Sequence, residues 1–166
     1  MDETPSALSL HFDCAIPYMG TDLDPRPLPR VPLYFTSAER RGIPASVRPL
    51  LDTGADYTLF DGNIALQLGW SEEDIAARAD DAHAVHGLET GASPLIGYLH
   101  RLTCLISMGQ RFATLQLSAF LTSPNTLSTP VLGRRDFFRQ VDFALVDAER
   151  QVYLRFRDRT ALRDSW

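Results

Sequence analysis

Leu50-Leu51-Asp52-Thr53-Gly54-Ala55-Asp56 joins a β-prone apolar run, Val47 to Leu51, to a cluster of residues that favour a tight turn. The spacing places the Asp52 carboxyl on a loop that leaves the end of a strand. Gly54 lets that loop turn sharply and come close to whatever lies opposite. Thr53 offers a hydroxyl that can fasten the loop by hydrogen bonding. On its own such a triplet is also an ordinary turn, so its weight depends on the rest of the chain.

Outward from this loop the chain reads as short strands. Before it, Leu33 to Thr36 is β-prone, and Gly42 and Pro44 mark a turn between it and Val47. Further back, Leu8, Leu10, Phe12, Cys14 and Ile16 alternate with Ser9, His11, Asp13 and Ala15, the pattern of a half-buried strand. Five prolines between Pro17 and Pro32 forbid helix there and predict an extended connector. After the loop, Asp61 to Leu68 and Ser71 to Ala79 are expected as short helices, the second with a capping box formed by Ser71 and Asp74. His86 to Gly97 holds three glycines and a proline and reads as a mobile hairpin or long loop.

Beyond it, Tyr98 to Met108 alternates, Gly109-Gln110 turns, and Leu115, Leu117 and Leu121 continue in a second strand. Val141, Phe143 and Leu145 pair in the same way with Val152, Leu154 and Phe156 across a polar turn at Asp147 to Arg150. Many short strands with little helix between them predict an all-β sandwich or barrel. The 166 residues suffice for one core and not for two ordinary domains.

Composition narrows the function classes. Hydrophobic residues make up 45% of the chain and charged ones 22%, as in a globular protein. The net charge of −5 argues against a nucleic-acid partner. All 16 basic residues are arginines, which carries no chemical assignment. No run of 18 apolar residues predicts a membrane span, and MDETPSALSL lacks the features of a secretory signal. Cys14 and Cys104 fall on apolar phases and read as small buried hydrophobes, not a disulfide framework, so the expected compartment is the cytoplasm.

A second motif lies downstream, Pro130-Val131-Leu132-Gly133-Arg134-Arg135-Asp136-Phe137-Phe138. Two apolar residues, a glycine, an arginine and a short amphipathic helix describe a strand that stops where the backbone wants no side chain. The pair of motifs, in this order and at this distance, resembles the retropepsin-like aspartic protease family over about residues 28–157, within a domain expected to span 28–160. The resemblance implies a closed acid-protease barrel with one or two short helices, preceded by an N-terminal strand and connector (1–27) and followed by a short tail (161–166). It also implies that Asp52 is catalytic, with Thr53, Gly54, Ala55, Asp56, Gly133 and Arg134 supporting its loop. Thr53 would brace two loops across a dimer axis, Gly133 would permit close approach, and Arg134 would form a bidentate, partly buried pair with Asp56. The flap of the family would fall at His86 to Gly91.

The chemistry supplies its own reason for two chains. Aspartic proteases hold water between two carboxyls that share one proton, and like charges about 3 Å apart cannot both ionise. This chain has a single Asp-Thr-Gly, so the second carboxyl is expected from the symmetry mate in a homodimer. The expected activity is that of an aspartic endopeptidase acting on a peptide or protein substrate with no cofactor and no metal. A non-catalytic peptide-binding or dimerisation module on the same barrel is the alternative. His83, His86 and His100 invite a metal site, but their loose spacing reads better as solvated loop histidines. Trp70 and Trp166 read as packing or terminal residues, and the arginines from Arg134 to Arg139 as a wet helix face.

Overall fold

The computed structural model describes residues 11–35, 45–85 and 94–164. In chain order the strands are β1 (Cys14–Pro17), β2 (Leu33–Phe35), β3 (Ala45–Val47), β4 (Leu50–Leu51), β5 (Thr58–Phe60) and β6 (Asp81–Val85), then β7 (Leu95–Ser107), β8 (Arg111–Leu121), β9 (Val131–Leu132), β10 (Val141–Val146), β11 (Gln151–Phe156) and β12 (Leu162–Asp164). Three short helices punctuate them: α1 (Asn63–Gln67), α2 (Glu72–Ala77) and α3 (Phe137–Gln140). The protein is mostly β.

The β7–β8 hairpin is the spine, and its sequence explains it. Leu102, Cys104 and Ile106 alternate with exposed Arg101, Thr103 and Ser107, so one face of the pleat is buried. Their cross-strand partners are Leu117, Leu115 and Ala113, all buried too. Gly109 turns the hairpin with φ +74°. The C-terminal hairpin follows the same logic: Val152, Leu154 and Phe156 point inward along β11, opposite Leu145, Phe143 and Val141.

One sheet has the order β1-β11-β10, and the larger one runs β3-β2-β7-β8-β5-β9-β4, with β6 added to β7 and β12 to β8. As a ladder of paired strands, the larger sheet is an open path. One end, β4, nevertheless pairs with the segment of chain that leads into β2, the neighbour of the other end, β3. Pro29 O accepts from Leu51 N–H at 2.9 Å, Val31 N–H donates to Pro49 O at 3.1 Å, and the chain then continues into β2. A single core cluster, including Ile16, Leu33, Phe60, Ile106, Leu132 and Leu154, draws on both sheets. A smaller cluster of Leu59, Phe120 and Leu127 lies apart from it, with Val85, Leu95, Leu99 and Val131 packed around.

Several expectations are modified. Of the N-terminal strand expected from Leu8 to Ile16, the described part runs over Cys14–Pro17 and leaves out residues 11–13, and residues 8–10 lie outside the described residues. The proline-rich connector is not simply extended: Met19 pairs with Leu28, so the segment folds back on itself. Gly20 permits this, since a Cβ there would fall 2.5 Å from Pro25 O. The two expected short helices are present as α1 and α2, within the stretches 61–68 and 71–79. The capping box is present, with Ser71 Oγ accepting from Asp74 N–H at 3.2 Å and Asp74 Oδ2 accepting from Ser71 N–H at 2.8 Å.

The stretch from His86, expected as a mobile hairpin or long loop, is framed by a hairpin, since β6 pairs with Leu95 to Leu99 of β7. β6 itself escapes the sequence pattern, being exposed at four of its five residues and carrying no apolar alternation. Residues 86–93, where the flap was expected, lie outside the described residues, as do Thr36, the Gly42 and Pro44 turn and Trp166. The expected tail contributes Leu162–Asp164 as a strand along β8.

Candidate active site

Asp52 stands immediately after β4, on a loop whose other arm is β5. β9 comes from about eighty residues further along and lies between the two arms, parallel to β4 (Leu50↔Val131, Leu51↔Leu132) and antiparallel to β5 (Leu59↔Val131). The loop is therefore straddled across a strand from a distant part of the chain. Asp52 N–H donates to Leu132 O at 3.2 Å, which extends the β4–β9 pairing up to the acidic residue itself.

The carboxylate is fastened by its own loop. Oδ1 accepts from Gly54 N–H at 2.8 Å and from Ala55 N–H at 3.3 Å, and Ala55 N–H also reaches Asp52 O at 3.2 Å. Oδ2 has no hydrogen-bond partner among the described residues. The side chain is thus oriented by one oxygen and leaves the other for a water or a substrate group. Gly54 is exposed, and a Cβ there would lie 3.2 Å from Asp52 Oδ1, so the absence of a side chain keeps the approach to the carboxylate clear.

Gly133 follows β9 and closes the back of the loop. A Cβ there would fall 2.3 Å from Tyr57 C and 2.4 Å from Tyr57 O, a position only glycine can hold. Its N–H donates to Thr58 Oγ1 at 3.2 Å. Next along the chain, Arg134 N–H donates to Ala55 O at 3.0 Å and Arg135 N–H to Asp56 O at 2.8 Å. The two sequence motifs are zipped together by these backbone bonds.

Asp56 and Arg134 meet as expected, Arg134 Nη2 donating to Asp56 Oδ1 at 2.6 Å. The expected bidentate, partly buried pair takes another form. Only one Arg134 nitrogen is engaged, Arg135 Nη2 approaches Oδ2 at 3.4 Å, and the Arg134 and Asp56 side chains are 59% and 43% exposed. One carboxylate serves two guanidinium groups. The Arg134 hydrogen bond, followed by the charges of both arginines, holds the Asp56 carboxyl below its ordinary pKa.

Thr53 is exposed and makes no hydrogen bond among the described residues, so within one chain it does not fasten the loop. That task falls to the Asp52 carboxylate and to the β9 backbone.

Among the described residues no group of His, Cys, Asp or Glu is placed to hold a metal ion. His83 is exposed on β6, 2.7 Å from Asp81 Oδ2, with its ring against Phe120. His100, expected in a solvated loop, is instead buried on β7, where Nε2 donates to Ile75 O at 2.8 Å and the ring packs on Trp70. A polar residue on the inward phase of an alternating strand was the available signal. His86 lies outside the described residues.

Sequence reasoning also passed over Thr58, a buried hydroxyl on β5, and Asp61. The Asp61 carboxylate accepts from four backbone N–H groups, those of Asn63, Asn125, Thr126 and Leu127, at 2.9 to 3.1 Å. It clamps the turn before β9 to the end of β5.

The fold and the site together define a mostly β protein with an exposed acidic loop braced by a Gly-Arg-Arg strand end. No family model matches the chain, and no curated protein matches it. No helix among the described residues is long and apolar enough to cross a membrane.

Proposed function

We propose that this protein is an aspartic endopeptidase, with Asp52 and the Asp52 of a second copy holding the water that attacks a peptide bond. The observation that carries the reading is the Asp52 carboxylate itself: one oxygen held by the Gly54 and Ala55 N–H groups, the other without a partner, on a loop braced through Gly133 and Arg134. In the reaction one carboxyl takes the proton of the water while the other donates to the amide carbonyl oxygen. The proton then passes to the leaving nitrogen. A lone carboxyl cannot play both parts at once, which is the reason for a homodimer. Exposed Thr53, beside Asp52, is free to bond across the axis of such a pair.

Pro29 to Val31 pairs with the β4 end of the larger sheet and leads into β2, the strand next to its other end, β3. That supports an acid-protease barrel, closed by this segment and not by a continuous ladder of strands. The cytoplasm is the compartment that goes with it.

The test compares wild type with Asp52→Asn on a mixed peptide library from about pH 4 to about pH 7. Asparagine keeps an oxygen for the Gly54 N–H, so the variant should fold as wild type does. Wild type should cleave within apolar segments, Asp52→Asn should not, and mixing the two should lower activity more than dilution does. A wild type that binds peptides and never cleaves them would favour the non-catalytic module. Cleavage by a strictly monomeric protein, read by sizing in the same buffer, would remove the dimer.

A further inference from the structure

Next to the Asp52 loop sits a pair of side chains that hydrolysis of the amide does not use. Tyr57 follows the loop directly and is 46% exposed. Its ring edge rests on Phe120, centroids 5.1 Å apart at 87°, and Phe120 is buried in the smaller apolar cluster, so Tyr57 has no room to fold inward. Arg135 covers the ring, with its guanidinium carbon 4.9 Å from the centroid. Its Nη1 donates to Tyr57 Oη at 2.9 Å and its Nη2 reaches Asp56 Oδ2 at 3.4 Å.

Arg135 is therefore held by its backbone bond to Asp56 O, by a ring and by two polar contacts, yet its side chain remains 56% exposed. Nε makes no hydrogen bond among the described residues. Arg134 and Arg135 share the Asp56 carboxylate, so within this trio one positive charge is not neutralised. A stacked guanidinium loses little freedom on binding an anion, because its plane is already set. An exposed tyrosine ring adds contact area at small entropic cost.

We propose that Tyr57 and Arg135 form a recognition element for the peptide, Tyr57 packing on its apolar part and Arg135 pairing with an Asp or Glu side chain close to the cleaved bond. The inference rests on the reading of Asp52 as the cleavage centre, since that is what lays an extended peptide across this loop. It adds a substrate class: apolar segments flanked by an acidic residue. A lysine or arginine at the same position meets the excess positive charge and is disfavoured.

The test uses short fluorescent peptides with an apolar centre, made in pairs that differ only by Glu or Gln at each flanking position. Binding is read by anisotropy on the Asp52→Asn variant and cleavage on wild type. At one flanking position the Glu peptide should bind and be cleaved about fivefold better than its Gln partner, the size expected of a partly exposed ion pair. The ratio should shrink at high salt, vanish in Arg135→Gln and survive in Arg135→Lys. Arg135→Lys also covers the case in which Arg135→Gln fails to fold, because a merely structural arginine would leave the Glu/Gln ratio insensitive to salt.

Equal handling of Glu and Gln at every position, or a ratio that persists in Arg135→Gln, overturns the inference while cleavage keeps the peptidase reading. A Glu preference in binding without any cleavage does the reverse. Failure to bind or cleave any peptide overturns both.

Discussion

Gly133 lies directly against the backbone of Tyr57, so close that a Cβ would sit 2.3 Å from the Tyr57 carbonyl carbon. The obstacle is main chain on both sides and no side chain can swing away. Gly133→Ala is expected to lose at least about 2 kcal/mol of stability through forced displacement of β9 from the loop. Urea denaturation checks this, and a variant as stable as wild type would mean that the two motifs are not in contact.

Asp61 is expected to matter more to stability than its position in a turn implies. Asp61→Ala strands four backbone N–H groups at once and should cost roughly 3 kcal/mol. Asp61→Asn keeps two lone-pair sites on one oxygen and should cost less. Equal, small losses in both variants would remove the clamp from the account.

Asp136 gives a pH dependence of one sign. Its Oδ2 accepts from Ser118 N–H at 2.9 Å, and Gln140 approaches its other oxygen. Burial, opposed by the Ser118 N–H, pushes the carboxyl from 3.8 up to about 6. The folded protein therefore keeps this proton where the unfolded chain has lost it. Stability from this group is full below about pH 3.8 and falls as the pH rises through about 6. Asp136→Asn, which retains the acceptor for Ser118, should be more stable than wild type at pH 7 by about 1 kcal/mol, allowing for the partial exposure of the site. The two melting curves should converge near pH 4 as the wild-type carboxyl takes up its proton.

His100 works in the opposite direction. Burial holds its imidazole below 6.5, in spite of the Ile75 carbonyl and the charge of Asp80. The unfolded chain binds the proton first, so the stability from this group is present above pH 6.5 and is lost as the pH falls through the depressed folded value. His100→Gln preserves a donor for Ile75 O and should flatten that acid limb, at a cost of roughly 1 kcal/mol at neutral pH from poorer packing on Trp70. Because the Asp136 and His100 slopes oppose one another, each is read from its single variant against wild type. An acid limb of unchanged slope in His100→Gln would place the responsible group elsewhere.

Much of the secondary structure was legible because it is set within a few residues. The alternation of Leu102, Cys104 and Ile106, the turn at Gly109, the second hairpin and the Ser71–Asp74 capping box all follow from pleat period, turn chemistry or a bond across one helical turn. Asp52 as a turn residue after a strand was equally local. The contact of Arg134 with Asp56 was anticipated only through resemblance to a family, because a pair 78 residues apart leaves no periodicity to read.

What the amino-acid order determined by itself was which segments extend, where they turn and which faces are apolar, since these depend on neighbours in the chain. Tertiary structure alone decided that β9 lies between the arms of the Asp52 loop, that the proline connector folds back through Met19 and Leu28, that His100 is buried, and that Arg135 covers Tyr57. Each of these depends on backbone groups and side chains from distant parts of the chain satisfying one another once water is excluded, a condition no local pattern encodes.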